Sequence, residues 1–152
     1  MPILSGQKLE ASTLNHLQPQ VYESVATVAL TRTDTTTYAD ITDATVTFST
    51  ETANAIAVVD AEFDCAVGNA DTGTDMNGRI MVDGVAGTRL AKHSLDDAGL
   101  DRDTVYMFEK FTLASAGSHT IKLQGALSTT GPGASGTFQV FTSIKVTVYE
   151  AV

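Results

Sequence analysis

Oxygen-bearing side chains alternate along residues 71–78 in a spacing that faintly resembles a calcium-binding loop. The residues that make this pattern are Asp71, Gly73, Asp75, Asn77 and Gly78. An EF-hand loop also needs a bidentate glutamate at its end and a helix on each side. The chain has Val82 near that position, and no helical pattern flanks the segment. We therefore predict a polar turn, with ion or glycan binding by Asp71–Asn77 left as the alternative.

A second group of carboxylates lies between residues 96 and 109. Its members are Asp96, Asp97, Asp101, Asp103 and Glu109. Paired carboxylates hydrolyse glycosides when an apolar environment raises the pKa of one of them. The chain contains no Trp, and this connection is polar, without a ring to stack on a sugar. We therefore predict a solvated acidic connection and expect no enzymatic activity.

The remaining reactive side chains are scattered along the chain. The three histidines lie in unrelated segments, at His16, His93 and His119. They offer neither metal-ligand spacing nor a Ser-His-Asp grouping. The single cysteine, Cys65, falls within an alternating strand pattern and is predicted to be a small buried apolar side chain. Residues 131–136 are Gly-rich but lack the Lys and the helix of a phosphate-binding loop. We expect no cofactor and no metal ion.

The composition is that of one folded domain. The chain has 152 residues, of which 43% are hydrophobic and 18% charged. The net charge of −9, with basic residues scattered singly, argues against nucleic acid as a partner. The longest apolar run, residues 55–59, is far shorter than the roughly 20 residues that cross a membrane. The first four residues do not resemble a signal peptide, so we expect a product folded in a cytoplasm.

After Pro19 the apolar residues recur with a period of two, as in half-buried strands. The predicted strands are 21–30, 38–41, 44–50, 56–67, 79–82, 88–91, 104–113, 119–124 and 137–149. Asp83–Gly84 indicates a hairpin turn, and residues 111–123 are predicted to form a hairpin around Ala116–Gly117. Strands at this short spacing, without helices between them, predict an all-β, antiparallel sandwich of jelly-roll type.

The first 22 residues are predicted to form a separate N-terminal attachment arm, with residues 23–152 as the sandwich. Residues 9–17 place leucines on one side of a short helix, which Pro19 closes. Two or three turns of helix are unstable alone in water, so this segment must pack on its own body, a sister copy or a larger assembly. The predicted contact residues are Ile3, Leu4, Leu9, Leu14 and Leu17.

Residues 5–19 resemble the opening of many small virion structural proteins of tailed bacteriophages. In those proteins the opening is followed by Val- and Thr-rich strands, and this chain has Thr37–Thr42 and Val46–Phe48 in the matching order. The segment 111–123 is also similar to this family. Glu10 departs from the pattern, which prefers Thr at that position.

This resemblance implies a β-sandwich body, frequently trimeric, without enzymatic activity. It implies a location in the virion after synthesis in the host cytoplasm, with the major capsid protein or another virion protein as partner. The expected function is a capsid decoration or head-fibre protein that binds the outside of the particle as an oligomer and stabilises it. A minor tail protein of the same architecture is one alternative. A glycan-binding host-adhesion module, using the loops at 71–77 and 130–136, is another, although aromatic residues make up only 7%.

Overall fold

The computed structural model describes residues 18–96, 101–130 and 132–151. Every regular element within these ranges is a β-strand. None of the described residues forms a helix with the length and apolar character needed to cross a membrane. The predicted short helix and its contact residues lie outside the described residues; these are Ile3, Leu4, Leu9, Leu14 and Leu17.

Eleven described strands form two antiparallel sheets. They are β1 Gln20–Val25, β2 Leu30–Thr33, β3 Ala39–Thr50, β4 Ala55–Asn69, β5 Asp75–Val82, β6 Val85–Ala86, β7 Ala91–Ser94, β8 Arg102–Leu113, β9 Gly117–Leu127, β10 Ser135–Phe138 and β11 Ser143–Tyr149. The six-stranded sheet has the order β1-β11-β4-β10-β2, with β8 also paired to β4. The five-stranded sheet has the order β3-β9-β5-β6, with β7 also paired to β5. The prediction of an antiparallel β-sandwich of jelly-roll type is confirmed.

The core lies between the two sheets and is built from alternate residues of each strand. The inward set of the six-stranded sheet includes Ala57, Val59, Phe63, Ile144, Val146 and Val148, and the facing set includes Val46, Phe48, Ile80, Ile121 and Leu123. This is the period-two pattern of a sheet with one face buried. The prediction that residues 56–67 form a central strand is confirmed, because β4 pairs with β8, β10 and β11.

Two predicted strands are each divided into two. Residues 21–30 form β1 and β2, separated by Ala26–Ala29, and these strands pair with β11 and β10 respectively. Residues 137–149 divide between β10 and β11. The break is a turn in which the Thr142 amide donates to the Gln139 carbonyl at 3.0 Å. Strand-forming residues continue through both breaks, so the sequence pattern hides the turns.

The predicted strands 38–41 and 44–50 are instead one strand, β3, with an irregular register between Asp40 and Thr45. Asp43 lies in this bulge with φ of 65°. Its carbonyl accepts a hydrogen bond from Ser24 Oγ at 2.5 Å, and its carboxylate accepts one from Thr27 Oγ1. The bulge therefore holds the end of β1 against β3.

The predicted hairpin over residues 111–123 is wrong. β8 pairs with β4 in one sheet, whereas β9 pairs with β3 and β5 in the other. Ala114–Ala116 therefore crosses between the sheets as an arch. Two strands in different sheets show the same alternation as two strands of a hairpin, so the local pattern does not separate the two cases.

The predicted Asp83–Gly84 turn is confirmed, with φ of 49° and 84° at its two residues and β6 directly after it. Such positive values are required at both central residues of a type I′ turn. The strand predicted at 88–91 is wrong, because the strand that follows β6 is β7, which begins only at Ala91. The loop predicted over 68–78 is shorter than expected, because β4 continues to Asn69 and β5 begins at Asp75.

Candidate functional site

The calcium-like segment divides between a turn and a strand. Asp71 accepts hydrogen bonds from both the amide and the hydroxyl of Thr74, at 3.0 and 2.5 Å. Asp75 and Asn77 lie in β5, and Asn77 is buried. Among the residues that the structure describes, no group of three or more His, Cys, Asp or Glu side chains could hold a metal ion. The polar-turn prediction is confirmed for residues 71–74.

The prediction of a solvated acidic connection is wrong for Glu109. This residue is on the inward side of β8 and is buried. Its Oε1 accepts hydrogen bonds from the amide and the hydroxyl of Thr88, both at 2.7 Å. Asp101 approaches His93 at 3.5 Å, and Asp97 lies outside the described residues. Glu109 therefore ties the loop after β6 to the six-stranded sheet.

Cys65 is buried, as predicted, with 2% of its surface exposed. Burial raises the pKa of its thiol to about 12, and the nearby charges of Asp64 and Asp103 act in the same direction. A nucleophilic cysteine needs the thiolate form at neutral pH. Cys65 is therefore an inert part of the core.

A polar cluster at one end of the sandwich was not anticipated from the sequence. His119 Nδ1 lies 2.7 Å from a carboxylate oxygen of Asp83, whose other oxygen accepts the Thr120 amide at 2.8 Å. His119 Nε2 lies 3.1 Å from the Ser115 carbonyl and 3.3 Å from Thr50 Oγ1. The alternation of β9 could have shown that His119 faces inward, but its partners come from three other segments.

This cluster, which we call the histidine clasp (Thr50, Asp83, Ser115 and His119), has the residue types of a catalytic triad but a different arrangement. The Ser115 carbonyl is a partner of the same ring nitrogen that would have to activate the Thr50 hydroxyl. A general base needs that nitrogen free for the nucleophile. The clasp instead joins the end of β3, the β5–β6 turn and the β8–β9 arch.

Beside the histidine clasp is an open groove of about 290 Å³, which we call the end groove. Its apolar walls are formed by Val82, Val85, Ala86, Phe111, Leu113 and Ala114. Asp83 and His119 line its polar side. The side chain of Val85 is unusually uncovered, with 70% of its surface exposed. The groove therefore offers apolar surface to solvent between the β5–β6 turn and the arch.

A second exposed surface is the outer face, formed by the outward side chains of β1, β11, β4 and β8. Large apolar residues are exposed on it at Val21, Val25, Tyr106, Phe108 and Tyr149. In its middle, Lys145 lies 3.9 Å from Glu23 and pairs in register with Asp60, which accepts a hydrogen bond from the Tyr106 hydroxyl. A shallow depression of about 240 Å³ lies among these residues. Exposed aromatic side chains such as these are enriched in protein interfaces, whereas the charged centre of this face differs from their usual apolar core and polar rim.

Comparison with known proteins identifies shared architecture. No protein-family model and no curated protein sequence matches the chain. A structure of infectious bursal disease virus, Gt strain, is similar with a TM-score of 0.54 and 14% identity, over 87% of this chain and 33% of that one. Dimeric latent PorU from Porphyromonas gingivalis is similar with a TM-score of 0.51 and 10% identity, over 86% of this chain and 12% of that one. The chain thus spans a third or less of these proteins, and the likeness is one of fold.

Proposed function

We propose that this chain is a non-enzymatic structural protein of a bacteriophage particle, which binds the outside of the capsid as a homo-oligomer and stabilises it. The observation that carries this proposal is the exposed apolar surface of the outer face and the end groove on an otherwise well-packed sandwich. The end groove gathers its apolar side chains in one place, and contiguous exposed apolar side chains mark surfaces that other macromolecules cover. The fold shared with a structure of infectious bursal disease virus supports the same function.

The exposed aromatic side chains support an interface in particular. Tyr106 and Phe108 lie on the same face of β8, and Phe141 lies near the same edge, with its ring 5.6 Å from Arg102. Tyr106 is 60% exposed and Phe141 is 67% exposed. Aromatic residues and Arg are enriched where proteins bind each other and contribute a large share of the binding free energy.

The polar clusters that the structure describes support a mechanical function over a catalytic one. The histidine clasp and the Glu109–Thr88 pair each join separate segments of the chain through hydrogen bonds. Asp64 likewise holds Arg102 through two hydrogen bonds, at 2.8 and 2.5 Å. These hydrogen bonds hold loops against strands, as expected of a structural protein.

In this proposal the N-terminal arm makes the contacts with the particle or within the oligomer, through Ile3, Leu4, Leu9, Leu14 and Leu17. Burial of each such side chain contributes about 1.5–3 kcal/mol. Several copies of the arm on one oligomer bind together, because attachment of the first raises the effective concentration of the others. A trimer of sandwiches held this way to the major capsid protein would oppose the outward pressure of packaged DNA.

The copy number of the chain in purified particles tests the proposal. Particles are banded on a density gradient, and peptides of this chain are quantified against those of the major coat protein by isotope-dilution mass spectrometry. A copy number of the same order as that of the coat protein supports capsid decoration. A handful of copies supports the minor tail protein or the host-adhesion module instead, and absence from the particles rejects a virion function.

A further inference from the structure

We infer that the end groove is the docking site for residues 3–9 of the N-terminal arm of a second copy of this chain. The inference rests on the proposed function, because it identifies which partner the distal part of the arm contacts in the homo-oligomer. It leaves Leu14, Leu17 and the outer face for contact with the particle.

The chemistry of the end groove suits an apolar segment. Branched apolar side chains, Ile3, Leu4 and Leu9, would meet walls that are apolar on both sides. On the polar side of the groove, Asp83 and His119 are already hydrogen-bonded to each other, and the Ser115 carbonyl lies 3.1 Å from His119 Nε2; Thr112 also lines the groove. Docking there would cover Val85 and leave the Asp83–His119 pair hydrogen-bonded, whereas loss of that pairing in a buried site would cost free energy.

The arm leaves the sandwich at the same end as the end groove. Gln20 pairs with Val148, Val148 with Ala57, and Ala57 with Phe111, which lines the groove. The start of β1 and the groove are therefore separated by three interstrand spacings, about 14 Å. The ten residues from Leu9 to Gln18 span about 15 Å as the predicted helix and at most about 33 Å when extended. An arm of this length reaches the groove of an adjacent copy whose matching end lies beside its own.

A second copy is favoured over the arm's own subunit because of what lies between β1 and the groove. The carboxylate of Glu150, directly after β11, accepts hydrogen bonds from the amides of Glu51 and Thr52, both at 3.0 Å. An arm that folded directly back would lay its leucines across this polar strip. A closed ring of copies, each with one arm and one groove, would leave no arm and no groove unfilled.

Disulfide cross-linking between two variants, each with one added cysteine, tests the docking. Full-length Leu4→Cys and Val85→Cys proteins are mixed and oxidised, and the products are separated without reductant. Cys65 stays in place in both, because it is buried and its raised pKa makes it unreactive. Val28→Cys is the matched control for Val85→Cys, since Val28 is also an exposed valine, at 55%, but lies beyond the other end of β1. We expect at least about tenfold more interchain product with Val85→Cys than with Val28→Cys, from the effective concentration of a docked arm.

Equal yields with the two partners would overturn the inference. So would a Leu4→Cys/Val85→Cys double variant that forms its disulfide within one chain while the mixture of single variants forms none, because the arm would then occupy its own groove. Failure here and failure of the proposed function are distinguishable. A chain abundant in particles but without the cross-link retains its virion function, whereas a cross-linked chain absent from particles retains only the docking.

Discussion

His119 and Glu109 are polar residues at inward-facing strand positions, where the alternating pattern otherwise places apolar side chains. Both are buried, and each holds a loop at the edge of the five-stranded sheet against another segment. His119 contacts the turn at Asp83, and Glu109 contacts Thr88 just after β6. Hydrogen bonds offset the cost of burying His119 and Glu109 Oε1, whereas Glu109 Oε2 is buried without a hydrogen-bond partner among the described residues. His119 itself lines the end groove, and Glu109 holds the loop that follows β6.

Replacing Asp83 tests the histidine clasp through its pH dependence. Burial alone would raise the pKa of Asp83, but hydrogen bonds from His119 and from the Thr120 amide outweigh it and hold the pKa below its ordinary value of 3.8. A carboxylate with a lowered folded-state pKa stabilises the fold above its unfolded-state pKa, and this stability is lost as the pH falls through the folded value. Asp83→Asn should therefore lower the Tm near neutral pH, and the difference from the wild type should shrink below about pH 4.

Thermal unfolding followed by circular dichroism across this pH range measures the effect. Asp96→Asn, at an exposed position, is the control and should leave the Tm unchanged. A difference between wild type and Asp83→Asn that stays constant down to about pH 2 would contradict a contribution from the ionised carboxylate.

Gly125 shows that the core has no room for one further carbon atom beside Phe138. A Cβ at this position would lie 2.2 Å from the Phe138 ring, which itself packs edge-on against Phe63 with centroids 6.0 Å apart. Gly125→Ala should lower the free energy of unfolding by about 1–3 kcal/mol through overpacking. Urea denaturation measures it. In a Phe138→Leu background the same substitution should cost less, and equal costs in the two backgrounds would show that the ring is not the cause.

The arch between β8 and β9 is the element that creates the end groove. A hairpin at Ala114–Ala116 would have placed both strands in one sheet and left no gap between the sheets at this end. Because the chain crosses over instead, the arch and the β5–β6 turn form opposite walls of an open space. The exposed surface that supports an interface is thus a consequence of strand pairing and not of any single residue.

The bulge in β3 provides a test at the scale of the element. Asp43 has a positive φ and accepts hydrogen bonds from Ser24 and Thr27. Asp43→Ala should cost about 1–2 kcal/mol of stability, because alanine is strained in the left-handed region and has no acceptor. Asp43→Asn should cost less, since Asn tolerates this conformation and retains a side-chain oxygen. Urea denaturation that ranks the two variants equally would show that the bulge does not depend on this side chain.

At the scale of the whole molecule, the sandwich is an acidic body with exposed apolar side chains on its outer face and in its end groove. The net charge of −9 makes copies repel one another, so the proposed association would depend on apolar contacts of the arm, the end groove and the outer face. The proposed function requires that these contacts be separable from folding.

Removal of residues 1–17 should leave the sandwich folded and abolish its association with particles. The first described strand begins at Gln20, so the deletion removes no strand pairing that the structure describes. We expect a Tm close to that of the full chain and loss of co-sedimentation with particles on a gradient. Leu14→Asp/Leu17→Asp in the full chain is the matched variant and should also lose co-sedimentation. Undiminished binding of the truncated chain would exclude the arm as the attachment.

The fold class and the inward-facing residues followed from the sequence alone. Alternation and turn chemistry within a few residues determine the inward faces of β3 and β11, the burial of Cys65 and the Asp83–Gly84 turn. The inward residues are Val46 and Phe48 in β3, and Ile144, Val146 and Val148 in β11. Such patterns can be recognised in a sequence because strand alternation and turn preferences depend only on neighbouring residues.

Only the tertiary structure decided which strands pair and what that pairing brings together. Four features depend on partners that are distant in sequence, such as His119 and Asp83 at a separation of 36 residues. They are the arch after β8, the division of residues 137–149 between β10 and β11, the histidine clasp and the end groove. Alternating strands of similar composition can pair in many orders with similar local energies. The order that is adopted is set by how all of the inward faces close one common core.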